Sequence, residues 1–379
     1  MIGRKILLIE NFSDDFYNAR LPLAKYLLEG GWDVYALIPE GEYVDLIEQA
    51  GVKPIVYQLN RKDKGMKQLI RLIGIYRSVI REHSIDIVHS FRFQPNLLNV
   101  LANFFNKKKV ILHITGLGIA FSNSSFFYRL LRLISQFIFQ VKLIRANKVI
   151  VQNPDDINDI WLNKVWSKKM SVISGSGIDT ILFDKKLFDK RILRANLNIL
   201  ETDVVFICVT RLIWEKGIKE MTDAFHHMKE EGKNCKLWIV GWSDMDNPRH
   251  VEDAYIRHFE NDSNIFFMGK KKNVRELLAA ADVFLYPSYY REGIPRGILE
   301  ALSMSLPVIT TDMPGCKLTV IQDRNGYLIK PRSADEICSS VNKLLQRNDM
   351  VAMGDNSRIL AKTKFSNSII FSEIASLYN

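Results

Sequence analysis

Residues 292–302 read EGIPRGILEAL, with Glu292 and Glu300 flanking Gly293, Ile294, Pro295, Arg296 and Gly297 just after an apolar run, DVFLYPS (282–288). That run reads as a buried strand and SYYREGIP as a loop. ILEALSM then has helical composition, with Pro295 suited to a first turn. Amides at such a helix start point outward, where the helix dipole favours phosphate. Two carboxylates beside a phosphate site are unfavourable on charge alone, unless each binds hydroxyls on one side of a diphosphate. A nucleotide sugar has that layout: sugar hydroxyls, two phosphates, ribose hydroxyls. The plain alternative is one helix-surface glutamate and one loop charge.

A second element bears on that choice. After VVFICVT (204–210) come Arg211 and Lys216, followed by Gly217 and another helical stretch. An arginine and a lysine five apart at a strand end can place a bidentate donor and a point charge on one diphosphate, neutralising it as a metal would. A basic loop alone is ordinarily solvated surface; beside the glutamates it reads as a site. Asp244 and Asp246 form a DxD that could share a divalent ion with a diphosphate, but Arg211 and Lys216 already supply the positive charge, so no metal or other cofactor is expected. His113 ends the apolar part of KVILHIT (109–115) beside Gly116, and reads as a core histidine or a substrate contact. Arg20, Arg92 and Asn96 fall in strand-end loops. TGLG (115–118) lacks the third glycine of a dinucleotide fingerprint.

The elements that must position these residues alternate along the chain. Strand runs KILLIE (5–10), WDVYALI (32–38), KPIVYQL (53–59), DIVHS (86–90), KVILHIT, KVIVQN (148–153) and MSVIS (170–174) are separated mostly by amphipathic stretches. After a polar connector (175–202) the pattern restarts with VVFICVT, KLWIVG (236–241), NIFFMG (264–269), DVFLYPS and PVITTD (307–312). The expectation is two doubly wound α/β domains, 1–177 and 178–379, facing each other across a cleft lined by strand-end loops. The last helix is free to pack back on the first domain.

At 379 residues, with 47% hydrophobic and 25% charged residues, the chain has the composition of a folded globular protein. Its four cysteines lack CxxC spacing and read as reduced thiols. MIGRKILLIE does not read as a secretory signal, so a cytoplasmic location is expected. The net charge of +10 is uneven: residues 1–177 hold 24 Lys and Arg against 15 Asp and Glu, the remainder 28 against 27. An acidic partner should therefore meet the first half. Nucleic acid is disfavoured, because no recognisable binding module accompanies the charge. FFYRLLRLISQFIFQVKLIR (126–145) puts Arg129, Arg132, Gln136 and Gln140 on one narrow stripe and leaves a broad apolar face. That face suits either a membrane interface or the domain core.

Several of these motifs together resemble glycosyltransferase family 4: Arg211, Lys216 and Gly217, the turn 175–179 with Phe183, Gly269 closing NIFFMG, ADVFLYPS, the Glu292/Glu300 pair in EX7E form, and SLPVITTDMPG. The resemblance implies a retaining enzyme of the two-domain GT-B fold. In such a site Arg211 and Lys216 hold the donor diphosphate, Glu300 binds ribose and Glu292 binds the donor sugar. Amides around Ile294 to Gly297 meet sugar or phosphate, with Gly116, Gly269 and His113 lining the site. Pro295 departs from the glycine of many members and removes one amide donor.

FYNARLPLAKYL, FRFQPN and TGLG are similar to bacterial transferases that extend undecaprenyl-diphosphate sugars, the group containing the N-acetylgalactosaminyltransferase of protein N-glycosylation. This implies a UDP-N-acetylhexosamine donor and a polyprenyl-diphosphate-linked acceptor held by Arg20, Arg92 and Asn96. It also implies peripheral attachment to the inner, anionic membrane face. A hexosyltransferase for capsule or O-antigen, a sugar-nucleotide epimerase and a non-catalytic nucleotide-sugar-binding membrane protein are the alternatives.

Overall fold

The structure, a computed structural model, describes residues 3–60, 63, 65–122, 125–160, 168–243, 245 and 247–379. The chain divides into two compact units, Met1–Gly177 with Asn367–Asn379, and Ile178–Ser366. Each is built on one wholly parallel sheet, as β-branched runs joined by helical crossovers require.

In the first unit, β1 (Lys5–Ile9), β2 (Asp33–Pro39), β3 (Lys53–Tyr57), β4 (Ile87–Phe91), β5 (Lys109–Ile114), β6 (Lys148–Val151) and β7 (Met170–Val172) are ordered β3-β2-β1-β4-β5-β6-β7. Strand alternation sends Leu7, Ile9, Val88, Val110, Leu112, Val149 and Val151 to one face, and Ile6, Leu8, Val34, Ala36, Ile111 and Ile150 to the other. The helices Met66–Glu82, Phe93–Ala102 and Phe126–Arg145 cover the first of these faces, each lying against the next. The opposite face is covered by the helix Leu21–Glu29 and by the last helix of the chain, Asn367–Ser376.

In the second unit, β8 (Val204–Val209), β9 (Cys235–Val240), β10 (Ile265–Gly269), β11 (Val283–Tyr286), β12 (Val308–Thr311) and β13 (Gly326–Ile329) are ordered β10-β9-β8-β11-β12-β13. The order reverses between β8 and β11, which pair Phe206 with Val283. Ligands of doubly wound sheets bind beyond strand ends at such a switch point. β13 is a thirteenth strand beyond the twelve expected; it is a four-residue edge strand that begins with glycine, too short to show a period.

The second unit ends at Ser366 and the last thirteen residues return to the first, because Ile370, Phe371, Ile374 and Tyr378 are all but fully buried in its core. Tyr378 edges against Trp32 at 5.6 Å, and its hydroxyl meets His89 Nδ1 at 2.7 Å. Deleting Asn367–Asn379 removes four buried side chains worth about 1.5–3 kcal/mol each, comparable to the whole stability of an ordinary domain. The shortened chain should lose a thermal transition and expose residues 1–177 to limited proteolysis while 178–366 stays resistant.

Candidate functional site

Three neighbouring strand ends of the second unit build one polar cluster. Arg211 follows β8, and the short turn Trp214–Lys216 brings Lys216 back under the sheet, where it is 4% exposed. Gly217 fixes that turn: its φ is +75°, and a Cβ there would stand 2.5 Å from the Pro287 carbonyl oxygen. The loop after β11 is stitched to the same turn, since Tyr289 N donates to the Glu215 carbonyl at 2.9 Å. From the third strand end, Thr310 Oγ1 donates to the Tyr286 carbonyl (2.7 Å) and Thr311 Oγ1 to the Ser288 carbonyl (2.5 Å).

Lys216 and Glu292 meet at the centre. Lys216 Nζ lies 2.6 Å from Glu292 Oε1 and donates to the Tyr286 hydroxyl at 2.7 Å. That hydroxyl reaches both carboxylate oxygens of Glu292, at 3.1 and 3.2 Å, and Ser288 Oγ donates to Oε1 at 2.9 Å. Lys216 thus uses two of its three donors inside the cluster and has a third for a ligand. Burial, with the Glu292 charge beside it, holds the Tyr286 hydroxyl well above its ordinary pKa. Cys208 and Cys316, which border the cluster, are pushed up to about 12 mainly by burial, so neither is a thiolate at neutral pH.

The helix after Glu292 spans Arg296–Ser303, one residue later than a first-turn proline requires: Pro295 is its N-cap, in extended conformation. Ile298, Leu299, Ala301 and Leu302 are buried, which turns Glu300 away from the core, and Arg296 Nε binds it at 2.8 Å. Gly293, Ile294 and Pro295 are buried behind Glu292. Gly297 lies against the end of β8, where an added Cβ would be 3.0 Å from the Val209 carbonyl oxygen. Gly269 ends β10, two strands from β8. Lys216 and Glu292 are therefore in direct contact, Arg296 and Glu300 form a separate pair, and Arg211 stands at the end of β8. Sequence reasoning missed Tyr286 and Ser288 as members of the site, although DVFLYPS contains both. Asp244 and Asp246 lie outside the described residues.

The first unit has its own polar cluster, at the switch between β1 and β4. Glu10 is fully buried; it meets Arg20 Nε at 3.2 Å and Arg92 Nε at 3.1 Å, while Arg92 Nη2 also reaches Asp15 at 2.5 Å. Burial pushes the Glu10 carboxyl up and the Arg20 guanidinium down, each opposed by the other's charge. Arg92 holds φ +72°, ψ 176°, a region costly for any residue with a Cβ.

Arg20 and Asn96 were expected in strand-end loops and are instead interior helical residues, in Phe16–Arg20 and Phe93–Ala102; His113, read as a core histidine or a substrate contact, is interior in β5. Arg20 is 5% exposed and stacks over Phe91. Asn96 donates to the His113 carbonyl (3.0 Å) and accepts from Ser90 Oγ (2.7 Å). The His113 ring lies parallel to that of His89 at 5.6 Å, with Gln152 at 3.3 Å from Nε2. For His113 the reason is that a parallel sheet covered on both faces buries its strand ends as well as its middle; Arg20 and Asn96 are enclosed because their helical segments press them against the ends of β4 and β5. Arg92 retains about a third of its side-chain surface, and Gly116 lies half-buried in the loop after β5 with φ +132°.

Comparison with known proteins accounts for both units. The family described as "Glycosyl transferases group 1" matches residues 189–359, and "Glycosyl transferase 4-like" matches residues 5–153. The N,N'-diacetylbacillosaminyl-diphospho-undecaprenol alpha-1,3-N-acetylgalactosaminyltransferase of Campylobacter jejuni is 24% identical over 338 residues, covering 87% of this chain and 86% of its own. The UDP-Gal:alpha-D-GlcNAc-diphosphoundecaprenol alpha-1,3-galactosyltransferase of Escherichia coli is 23% identical, covering 84% and 81%. Among solved structures, Anabaena HepE in complex with UDP and glucose superposes with a TM-score of 0.81 at 19% identity, covering 99% of each chain. This likeness establishes the GT-B fold.

Two outcomes follow from the geometry. Replacing Glu292 by Ala leaves the Lys216 ammonium buried without its counter-charge and should cost about 3 kcal/mol, while Tyr286→Phe, which removes one shared hydroxyl, should cost about 1 kcal/mol. Urea unfolding of Lys216→Met, Glu292→Gln and the double variant should be non-additive if the pair is coupled. In the first unit, burial depresses the His89 pKa from 6.5 to about 3 and holds His113 well below its ordinary value. Their folded pKa values lie below the unfolded ones. The stability they contribute is complete above pH 6.5 and drains as pH falls below it, for His89 until about 3, by up to about 1.4 kcal/mol per pH unit per ring. Melts from pH 8 to 4 should show this slope, and His89→Gln should flatten it.

Proposed function

The chain belongs to glycosyltransferase family 4, and from that premise we propose that it moves an N-acetylhexosamine, N-acetylgalactosamine foremost, from a UDP-sugar to an undecaprenyl-diphosphate-linked saccharide. The observation that carries the reading is the Lys216–Tyr286–Glu292 cluster between the ends of β8 and β11. It places a buried cation beside a carboxylate held in one orientation. A donor diphosphate suits the third Lys216 donor and the Arg211 guanidinium. A sugar hydroxyl suits the Glu292 carboxylate, and the ribose hydroxyls suit Glu300.

The reaction is a front-side displacement with retention. The bond from the anomeric carbon to the diphosphate oxygen breaks through an oxocarbenium-like state. The acceptor oxygen bonds to the same face, and its proton passes to the departing diphosphate. Negative charge develops on the leaving group, so Arg211 and Lys216 are the main catalytic groups, and Glu292 orients the sugar whose carbon reacts. Losing either cation should lower kcat on the order of 10² to 10³-fold. No metal is assigned a role.

Two relatives act, by their names, on undecaprenol-linked diphosphosugars, one transferring N-acetylgalactosamine and the other galactose. The acceptor assignment rests on that likeness and on the excess positive charge of residues 1–177. The first unit would meet the acceptor diphosphate at Arg92, with Glu10 and Arg20 behind it, at the inner, anionic face of the membrane.

The test is turnover of a panel of UDP- and GDP-sugars with a short polyprenyl-diphosphate sugar, with and without EDTA, for the unsubstituted chain, Arg211→Ala and Glu292→Ala. Transfer from one UDP-N-acetylhexosamine that survives EDTA and is lost in both variants is the expected result. Transfer from UDP-galactose or UDP-glucose alone would replace the sugar assignment. Loss of activity with EDTA would move the chemistry to Asp244 and Asp246, and tight donor binding without transfer to any acceptor would favour a sugar-nucleotide sensor.

A further inference from the structure

The helix Phe126–Arg145 is turned inside out relative to an ordinary surface helix. Three of its polar side chains point into the first unit: Gln136 donates to the Asp159 carbonyl (2.5 Å), Gln140 to the Ile160 carbonyl (3.1 Å), and Arg145 to the carbonyls of Asn103 (2.6 Å) and Asn106 (2.7 Å). Its apolar side chains point out, with Phe126, Leu130, Leu133, Ile134, Phe137 and Ile144 between 49 and 84% exposed. At 100° per residue most of these fall on one stripe, and at 1.5 Å per residue it runs for about 27 Å. Core packing, one of the two readings of this segment, accounts only for Phe139, Lys142 and Leu143.

The stripe lies in the most basic part of the molecule. Residues 60–148 contain 16 Lys and Arg against 3 Asp and Glu, whereas residues 1–59 contain 5 against 9. That span supplies the three long helices on one face of the first sheet; the short helix Pro154–Ile160 beside them carries Asp155, Asp156 and Asp159, of which Asp156 is buried. Lys67, Arg71 and Arg77 are exposed on the first of the three, together with Met66 and Ile70, and Arg129 is exposed beside the stripe itself. Among the described residues no helix is long and apolar enough to cross a membrane.

We propose that this helical layer is a docking surface for an anionic lipid bilayer, in which the stripe from Phe126 to Ile144 enters the boundary between headgroups and acyl chains while the surrounding lysines and arginines meet lipid phosphates. An exposed apolar stripe of this size marks an interaction surface. Its neighbours decide the partner: long cationic side chains bury their stems and keep their charges at headgroup level. A second copy of the chain is a poor occupant, because a two-fold contact through this layer would set one strongly positive face against another. The inference rests on the membrane part of the proposed function and sharpens it by naming the element that inserts.

Binding of the full chain to vesicles needs no sugar donor or acceptor, so it can fail while transfer stands, and the reverse. The chain is sedimented with vesicles of phosphatidylcholine alone and of phosphatidylcholine with phosphatidylglycerol, at low and high salt. Salt screens the charges and leaves apolar insertion intact. The expected result is binding to the anionic vesicles that persists in part at high salt. Leu133→Ser with Phe137→Ser should reduce the salt-resistant fraction about tenfold or more. Lys67→Glu with Arg71→Glu should weaken binding at low salt. Should the serine variant fail to fold, Phe137→Trp provides the second readout: its emission should shift to the blue on anionic vesicles and be quenched by brominated acyl chains. Absence of vesicle binding, binding unchanged by the serine substitutions, or a tryptophan that brominated lipid leaves unquenched would overturn the proposal. So would a dimer that the serine substitutions dissociate while vesicle binding stays the same, since the face would then join copies of the chain.

Discussion

The second unit is organised around one costly arrangement, a lysine and a glutamate held 2.6 Å apart with the lysine almost wholly buried. Such a pair is tolerable only when its geometry is tight and its remaining donors and acceptors are engaged. The Tyr286 hydroxyl and Ser288 Oγ meet that demand directly, and Thr310 and Thr311 hold the backbone that carries them. Gly315 extends the same constraint outward. Its φ is +83°, and a Cβ there would stand 1.4 Å from the Gly293 carbonyl oxygen, so the chain after β12 can press against the residue next to Glu292 only without a side chain. The ends of three strands are thereby held in one arrangement before any ligand arrives, as a site that must act on a developing charge requires.

Much of the fold was legible because its signal is local. Parallel strands buried on both faces read as apolar β-branched runs, and twelve such runs locate twelve of the strands to within a residue or two at most ends. The polar functional residues were legible too, since Glu292, Glu300, Arg211 and Lys216 stand at strand ends or helix starts where composition changes abruptly. Their pairing was not. Which cation lies against which carboxylate depends on the order β8-β11-β12, a long-range property that no spacing encodes. Tyr286 was hidden for a different reason: in an apolar strand its ring reads as core, and only the packed structure shows where its hydroxyl goes.

The same limit explains what was misread in the first unit. Arg20 and Asn96 stand in polar stretches after strand runs, a position that reads as loop, yet each lies in a helical segment that encloses it against β4. For the helix Phe126–Arg145 the period was plain while its sign was not. A stripe of polar residues fixes the rotation of a helix only once it is known whether water or protein lies on that side. Gln136 and Gln140, bonded to carbonyls within the unit, reverse the usual assignment.

The return of the last thirteen residues to the first unit has a consequence for how the protein is made. The sheet of residues 1–177 is synthesised first, but the side chains that complete the cover of one of its faces leave the ribosome only after the whole second unit. At 5–20 residues per second, roughly ten to forty seconds separate Gly177 from Asn367. Through that interval the sheet face is covered only in part, by the helix Leu21–Glu29. The second unit, whose core draws on no residue beyond Ser366, can complete its fold earlier. Vectorial synthesis therefore inverts the order of the chain, with the unit made later free to finish first and the first unit completed only when Asn367–Asn379 arrives.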